Sequence, residues 1–105
     1  MSEATPVYVG PPDLHDGTVL AIEERGADVA VRIRSFEGRE FELRFRGVQA
    51  VRAHRAEGMP LYALTERREA PSVRRFTFAN WDEEDDARLE IDAQELHVES
   101  SAPAG

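Results

Sequence analysis

The chain of 105 residues contains no cysteine and no lysine. The missing thiol excludes disulfide staples, cysteine-ligated zinc and thiol catalysis. The missing amine excludes Schiff-base chemistry and a P-loop lysine. No apolar run approaches the roughly 18 residues of a membrane span, and the N-terminus carries no basic-then-apolar leader. The expectation is a cytoplasmic protein. No serine stands in a glycine-flanked elbow and no glycine-rich loop cradles phosphate, so neither nucleophilic catalysis nor nucleotide binding has support. No cofactor and no catalytic residue is expected.

What is present is acid. The net charge is −8, which argues against nucleic acid as a partner, because phosphate affinity needs a basic surface. That charge is concentrated. Positions 82 to 99 hold nine acids against Arg88 alone, while the remaining 12 acids and 12 arginines cancel.

The middle of the chain reads as strands. In "GTVLAIEE", Leu20 and Ile22 alternate with Ala21 and Glu23; in "DVAVRIRS", Val29, Val31 and Ile33 alternate with polar or small residues; in "REFELRFR", Phe41, Leu43 and Phe45 alternate with charge. Period-two alternation marks a strand with one wet face. The turn "SFEGRE" specifies a register. With Phe36, Glu37 and Gly38 as a three-residue loop and Gly38 at positive φ, Ile33 meets Phe41, Val31 meets Leu43 and Val29 meets Phe45. On the other face Arg34 meets Glu40, Arg32 meets Glu42 and Asp28 meets Arg46. One register satisfies the apolar and the charged face together, each opposite-charge pair being worth a few tenths to about 1 kcal/mol.

Farther on, "GVQAVRAHR" breaks alternation and predicts a bend or bulge. "MPLYALTE", "VRRFTFANW", "ARLEIDA" and "ELHVE" supply further strands, with Ile91 and Leu96 expected to face each other across a tight turn at Ala93 and Gln94. The fold class predicted is all-β, an antiparallel meander of about seven short strands forming a small barrel or sandwich, without helices. A single domain is expected over 14–99, between a flexible tail over 1–13, in which Val7, Tyr8 and Val9 are able to pair as an edge strand, and a disordered tail over 100–105.

The stretch "NWDEEDDARLEI" carries five adjacent carboxylates. As an EF-hand it fails. Starting the loop at Asp82 puts Ala87 where glycine belongs and Ala93 where the closing glutamate belongs; starting at Asn80 puts Asp85 and Ile91 there. As a hairpin loop it makes ordinary sense, since aspartate and asparagine tolerate turns. Five adjacent acids nevertheless repel one another and exceed what a turn needs. Two readings stand, a solvated turn and an acidic contact site for a basic protein. The candidate contact residues are Trp81, Asp82, Glu83, Glu84, Asp85 and Asp86. Trp81 is expected as a rim core residue, though tryptophan beside carboxylates also has the make-up of a binding hot spot.

A competing reading is a metal-dependent enzyme or metal binder using His15, Asp16 and the acidic loop, because histidine with carboxylates ligates zinc or acts as a base. No spacing fixes three ligands together, and "DLHDG" reads first as a turn.

Taken in order, "LHDGTVLAIEE", "GREFELRFRGV", "EGMPLYALTE" and "FTFANWDEEDDARLEI" resemble a group of small, uncharacterised bacterial all-β proteins. They share a Leu-His-Asp opening (here Leu14, His15 and Asp16) and an Asn-Trp-Asp-acidic block. More distantly, the opening followed by a meander is similar to some immunity proteins of bacterial toxin systems. That resemblance implies an immunity-like, non-enzymatic binding role.

Overall fold

The computed structural model describes residues 7–8, 16–35, 37–82 and 84–101. Leu14, His15, Phe36 and Glu83, together with most of the predicted tails, lie outside the described residues. Among the described residues nine strands are present: β1 Val7–Tyr8, β2 Gly17–Arg25, β3 Asp28–Arg34, β4 Glu40–Arg46, β5 Ala50–His54, β6 Pro60–Ala70, β7 Val73–Asn80, β8 Arg88–Ala93 and β9 Glu95–Ser101. There is no helix among the described residues. All pairings are antiparallel, in the order β5-β8-β7-β6-β2-β3-β4-β9, with β1 also pairing β6. The sheet folds over without closing into a barrel.

The β3–β4 hairpin has the predicted register. Ile33 pairs with Phe41, Val31 with Leu43, Val29 with Phe45, Arg32 with Glu42 and Arg34 with Glu40. Gly38 has φ +89°, a conformation that side chains with a Cβ disfavour. The Ser35 amide donates to the Arg39 carbonyl at 2.7 Å, and the Arg39 amide donates to Ser35 Oγ at 3.1 Å. The described ladder ends at Val29–Phe45: Asp28 pairs instead with Arg25 of β2, and Arg46 with Glu95 of β9. Two ion pairs here depart from the directly opposite arrangement, one diagonal and one within a strand. Arg32 reaches Glu40 at 2.9 Å, and Glu42 takes Arg44 of its own strand at 3.0 Å.

Two expectations are corrected. In β2 the core position belongs to Val19, fully buried, not to Leu20. The register shifts between Val19 and Ala21, so Leu20 is an extra residue that changes which side chains face inward. At the other end of the chain, β8 and β9 do not form a hairpin. Ile91 pairs with Val51 and Phe76, whereas Leu96 pairs with Phe45. The reason is that β8 has both edges occupied, by β5 and β7. The strand pair β4–β5 and β8–β9 bends as one ribbon from one half of the sheet to the other. The Gln94 amide donates to the Arg46 carbonyl at 3.0 Å, and the Gln49 amide to the Asp92 carbonyl at 2.8 Å. Gly47 makes the bend possible at φ +63°, with the Gln94 side chain packed where a Cβ would stand.

The folding brings Phe45 of β4 against Phe76 and Phe78 of β7, with ring centroids 5.0 and 5.9 Å apart in edge-to-face geometry. Around them Val31, Ile33, Leu43, Leu61, Leu89 and Ile91 are almost wholly buried. Burying each such side chain stabilises by about 1.5–3 kcal/mol. This core holds β6, β7 and β8 in place, and their loops at one end form the site described next.

Candidate functional site

The acidic stretch is the loop joining β7 to β8, which are paired through Phe78–Leu89 and Phe76–Ile91. Asn80, the last residue of β7, organises it. Its Oδ1 accepts the Asp82 amide at 2.9 Å, and its Nδ2 donates to Asp85 Oδ2 at 3.3 Å and to the Ala87 carbonyl at 3.1 Å. Asp82 Oδ1 in turn accepts the Glu84 amide at 2.9 Å, and Asp85 Oδ1 the Ala87 amide at 3.2 Å. These are the side-chain-to-backbone bonds for which aspartate and asparagine are suited.

The loop is clamped from outside as well. Asp86 lies 3.0 Å from His54 Nε2 and accepts from Arg55 Nη1 at 2.6 Å, both residues standing at the end of β5. The hydrogen bond to His54, followed by the charge of Arg55, holds the Asp86 carboxyl below the ordinary aspartate range. Arg55 itself has a left-handed φ of 51°. The five carboxylates are therefore not equivalent. Asp82 staples the turn through one oxygen and Asp85 through both, Asp86 is paired with basic groups, Glu84 is exposed, and Glu83 lies outside the described residues.

Trp81 is not in the core. It is 48% exposed and meets Tyr62, itself 39% exposed, edge to face with centroids 5.0 Å apart. The cause is a bulge in β6: the register shifts between Leu61 and Ala63, leaving Tyr62 as the extra residue. Leu61 and Ala63 stay buried, and Tyr62 turns outward beside the first residue after β7. The Trp81 amide is tied to the Pro60 carbonyl at 3.2 Å. The pairing of Trp81 with Tyr62 was not legible in the sequence, where the only local sign was the broken alternation of "LYAL".

Asp16 comes to the same end of the sheet. Its amide donates to the Leu61 carbonyl at 3.0 Å, and Leu61 pairs with both Gly17 and Asn80. Asp16 takes φ 68°, a turn conformation. No three histidine or acidic side chains among the described residues stand close enough to hold a metal ion.

A second charged cluster lies on the outer face of β5, β8 and β7. Asp92, only 8% exposed, accepts from Arg75 Nε at 2.9 Å and from Arg52 at 3.2 Å. Glu90 joins Arg52 at 2.9 Å and Glu69 joins Arg75 at 3.2 Å. The hydrogen bond from Arg75, then that from Arg52, holds the Asp92 carboxyl below its ordinary range against the opposing effect of burial. The cluster is a closed set of pairs and acts as a clasp across the strands. Sequence pattern missed it, because residues 52, 75 and 92 meet only once the sheet is assembled.

No family model matches the chain, and neither a curated protein nor a solved structure matches it. Among the described residues no helix is long and apolar enough to cross a membrane.

Proposed function

We propose that this chain is a non-enzymatic, cytoplasmic protein-binding module whose acidic end receives a basic protein partner, in the manner of an immunity protein neutralising a toxin. The observation that carries the reading is the exposed Tyr62–Trp81 pair standing directly beside a hydrogen-bonded acidic loop. An aromatic anchor next to fixed carboxylates is the combination found in binding hot spots. It also suits arginine or lysine, whose charge sits well against a tryptophan face and whose head group pairs with carboxylate. The loop is held by its own side chains, so little ordering entropy is lost on contact. The net charge of −8 supports a protein rather than a nucleic acid as the partner, and it speeds encounter with a basic surface.

The test is calorimetric titration with an arginine-rich peptide across a series of salt concentrations. Binding that weakens with salt, and that falls by roughly tenfold or more in Trp81→Ala, supports the reading. Unchanged affinity in Trp81→Ala and in the paired variant Asp82→Asn with Glu84→Gln contradicts it. The immunity-like role is tested by co-purifying the chain with the product of its neighbouring gene. Co-purification lost on Trp81→Ala is the expected result.

A further inference from the structure

The acidic loop adjoins an unfinished edge of the sheet. β5 is the terminal strand of its half, and among the described residues nothing pairs its outer side. β2, which borders the same opening, is paired on that side by β6 only at Gly17 and Thr18. Val19 then exchanges hydrogen bonds with Met59 and Gly58, at 3.0 and 2.7 Å. Beyond it the ladder stops. The Ile22 amide donates to the Glu57 carboxylate at 3.1 Å in place of a strand. Between the two edges lies a groove of about 490 Å³ lined by Ile22, Glu24, Val51, Ala53, Arg55, Ala56 and Glu57. Its floor is apolar, since Ile22 and Val51 pack against the core and Ala56 is buried. Its rim carries the exposed carboxylates of Glu24 and Glu57 and the exposed guanidinium of Arg55, whose charge is paired with Asp86.

One end of β5 is His54, next to Arg55, and these are the two residues that hold Asp86. A chain segment laid along β5 would run straight to the acidic loop. We infer that the free edge of β5 takes up an extended segment of the basic partner as an additional strand. Its apolar side chains would cover Val51 and Ile22, and its arginines or lysines would face Glu24, Glu57 and the loop. Strand addition gains affinity from main-chain hydrogen bonds and specificity from alternate side chains, and it satisfies the exposed edge that a free sheet presents. The charge of the groove and loop selects the occupant. A second copy of the chain is disfavoured by the net charge of −8 on each, whereas a basic segment is attracted. This inference rests on the proposed acidic contact site and adds the backbone geometry of the contact.

The probe is a short alternating arginine–valine peptide, compared with two isomers N-methylated at odd or at even positions. Methylation keeps the charge and the side chains but removes the donors needed for a ladder. Amide hydrogen exchange in the intact chain should show new protection over Ala50–His54 with the unmodified peptide. At least one methylated isomer should bind roughly tenfold more weakly and give no such protection. Equal affinity of all three peptides, with protection confined to residues 81–87, overturns strand addition while leaving the acidic contact intact. Failure of every peptide to bind overturns both. Protection of β5 that grows with protein concentration in the absence of peptide assigns the edge to a second copy and also overturns the inference.

Discussion

Tyr62 and Trp81 touch edge to face at 5.0 Å while both remain substantially exposed. Such a pair contributes about 0.5–1.5 kcal/mol beyond the area it buries, which is small against the cost of truncating a core aromatic, about 3–5 kcal/mol. Trp81→Ala, which loses this pair term and only about half of a tryptophan's burial, is therefore expected to lower stability by clearly less than Phe76→Ala, which should cost about 3 kcal/mol or more. Chemical denaturation of the two variants checks the contrast. Equal losses would mean that Trp81 is structural.

The clasp at Asp92 makes a pH prediction. Its folded carboxyl is depressed by Arg75 and Arg52. The stability it contributes is therefore complete above the unfolded value of about 3.9 and is lost as pH falls through the lower, folded value. Asp92→Asn should be less stable than the parent at neutral pH, by about 1–3 kcal/mol. It should also lose less of its remaining stability on acidification below about pH 4. Parallel acid-unfolding curves for parent and variant would contradict this.

The register of the β3–β4 hairpin was legible because two independent patterns, apolar and charged, demanded it, although the expected Asp28–Arg46 pair at its end does not form. A single pattern placed Phe76, Phe78, Leu89 and Ile91 in the core, but at two other places it misled. Leu20 and Val19 are both apolar, and one bulged residue decides which of them is inside; a slip of one flips every following side chain. The spacing of Ile91 and Leu96 fits a hairpin as well as a crossover. The choice was made by β5 and β7 taking both edges of β8, a contact remote in sequence. Within the acidic block the loop and its surface position were readable. The division of labour among its carboxylates was not, since His54 and Arg55 arrive from 32 and 31 residues away.

Gly47 offers a test of the ribbon bend. A Cβ there would lie 2.7 Å from Gln94 Cδ, and φ is +63°. The Gln94 side chain is flexible enough to yield, but the left-handed backbone is not relieved by its movement. Gly47→Ala should cost about 1–2 kcal/mol. Adding Gln94→Ala should restore only part of that loss, as read from thermal midpoints. Full restoration would place the whole cost in the steric clash.

The loop itself is best probed at its anchor. Asn80→Ala removes the acceptor for the Asp82 amide and the donor to Asp85 and Ala87. It should destabilise by about 1–3 kcal/mol and speed amide exchange over the loop. Glu84→Gln should do neither, because its exposed side chain takes no part in these bonds. If Glu84→Gln loosens the loop as much as Asn80→Ala does, the assignment of structural and outward-facing acids is wrong.

The central claim, that the acidic end of the sheet is the partner surface, is tested most directly by nuclear magnetic resonance, with the single tryptophan as reporter. In a titration of the labelled chain with an arginine-rich peptide, the Trp81 indole and the amides of residues 80–87 should shift together and saturate. They should return toward their free positions as salt is raised. Shifts that centre instead on the outer-face carboxylates of β4 and β9, with the Trp81 indole unmoved, would contradict the account.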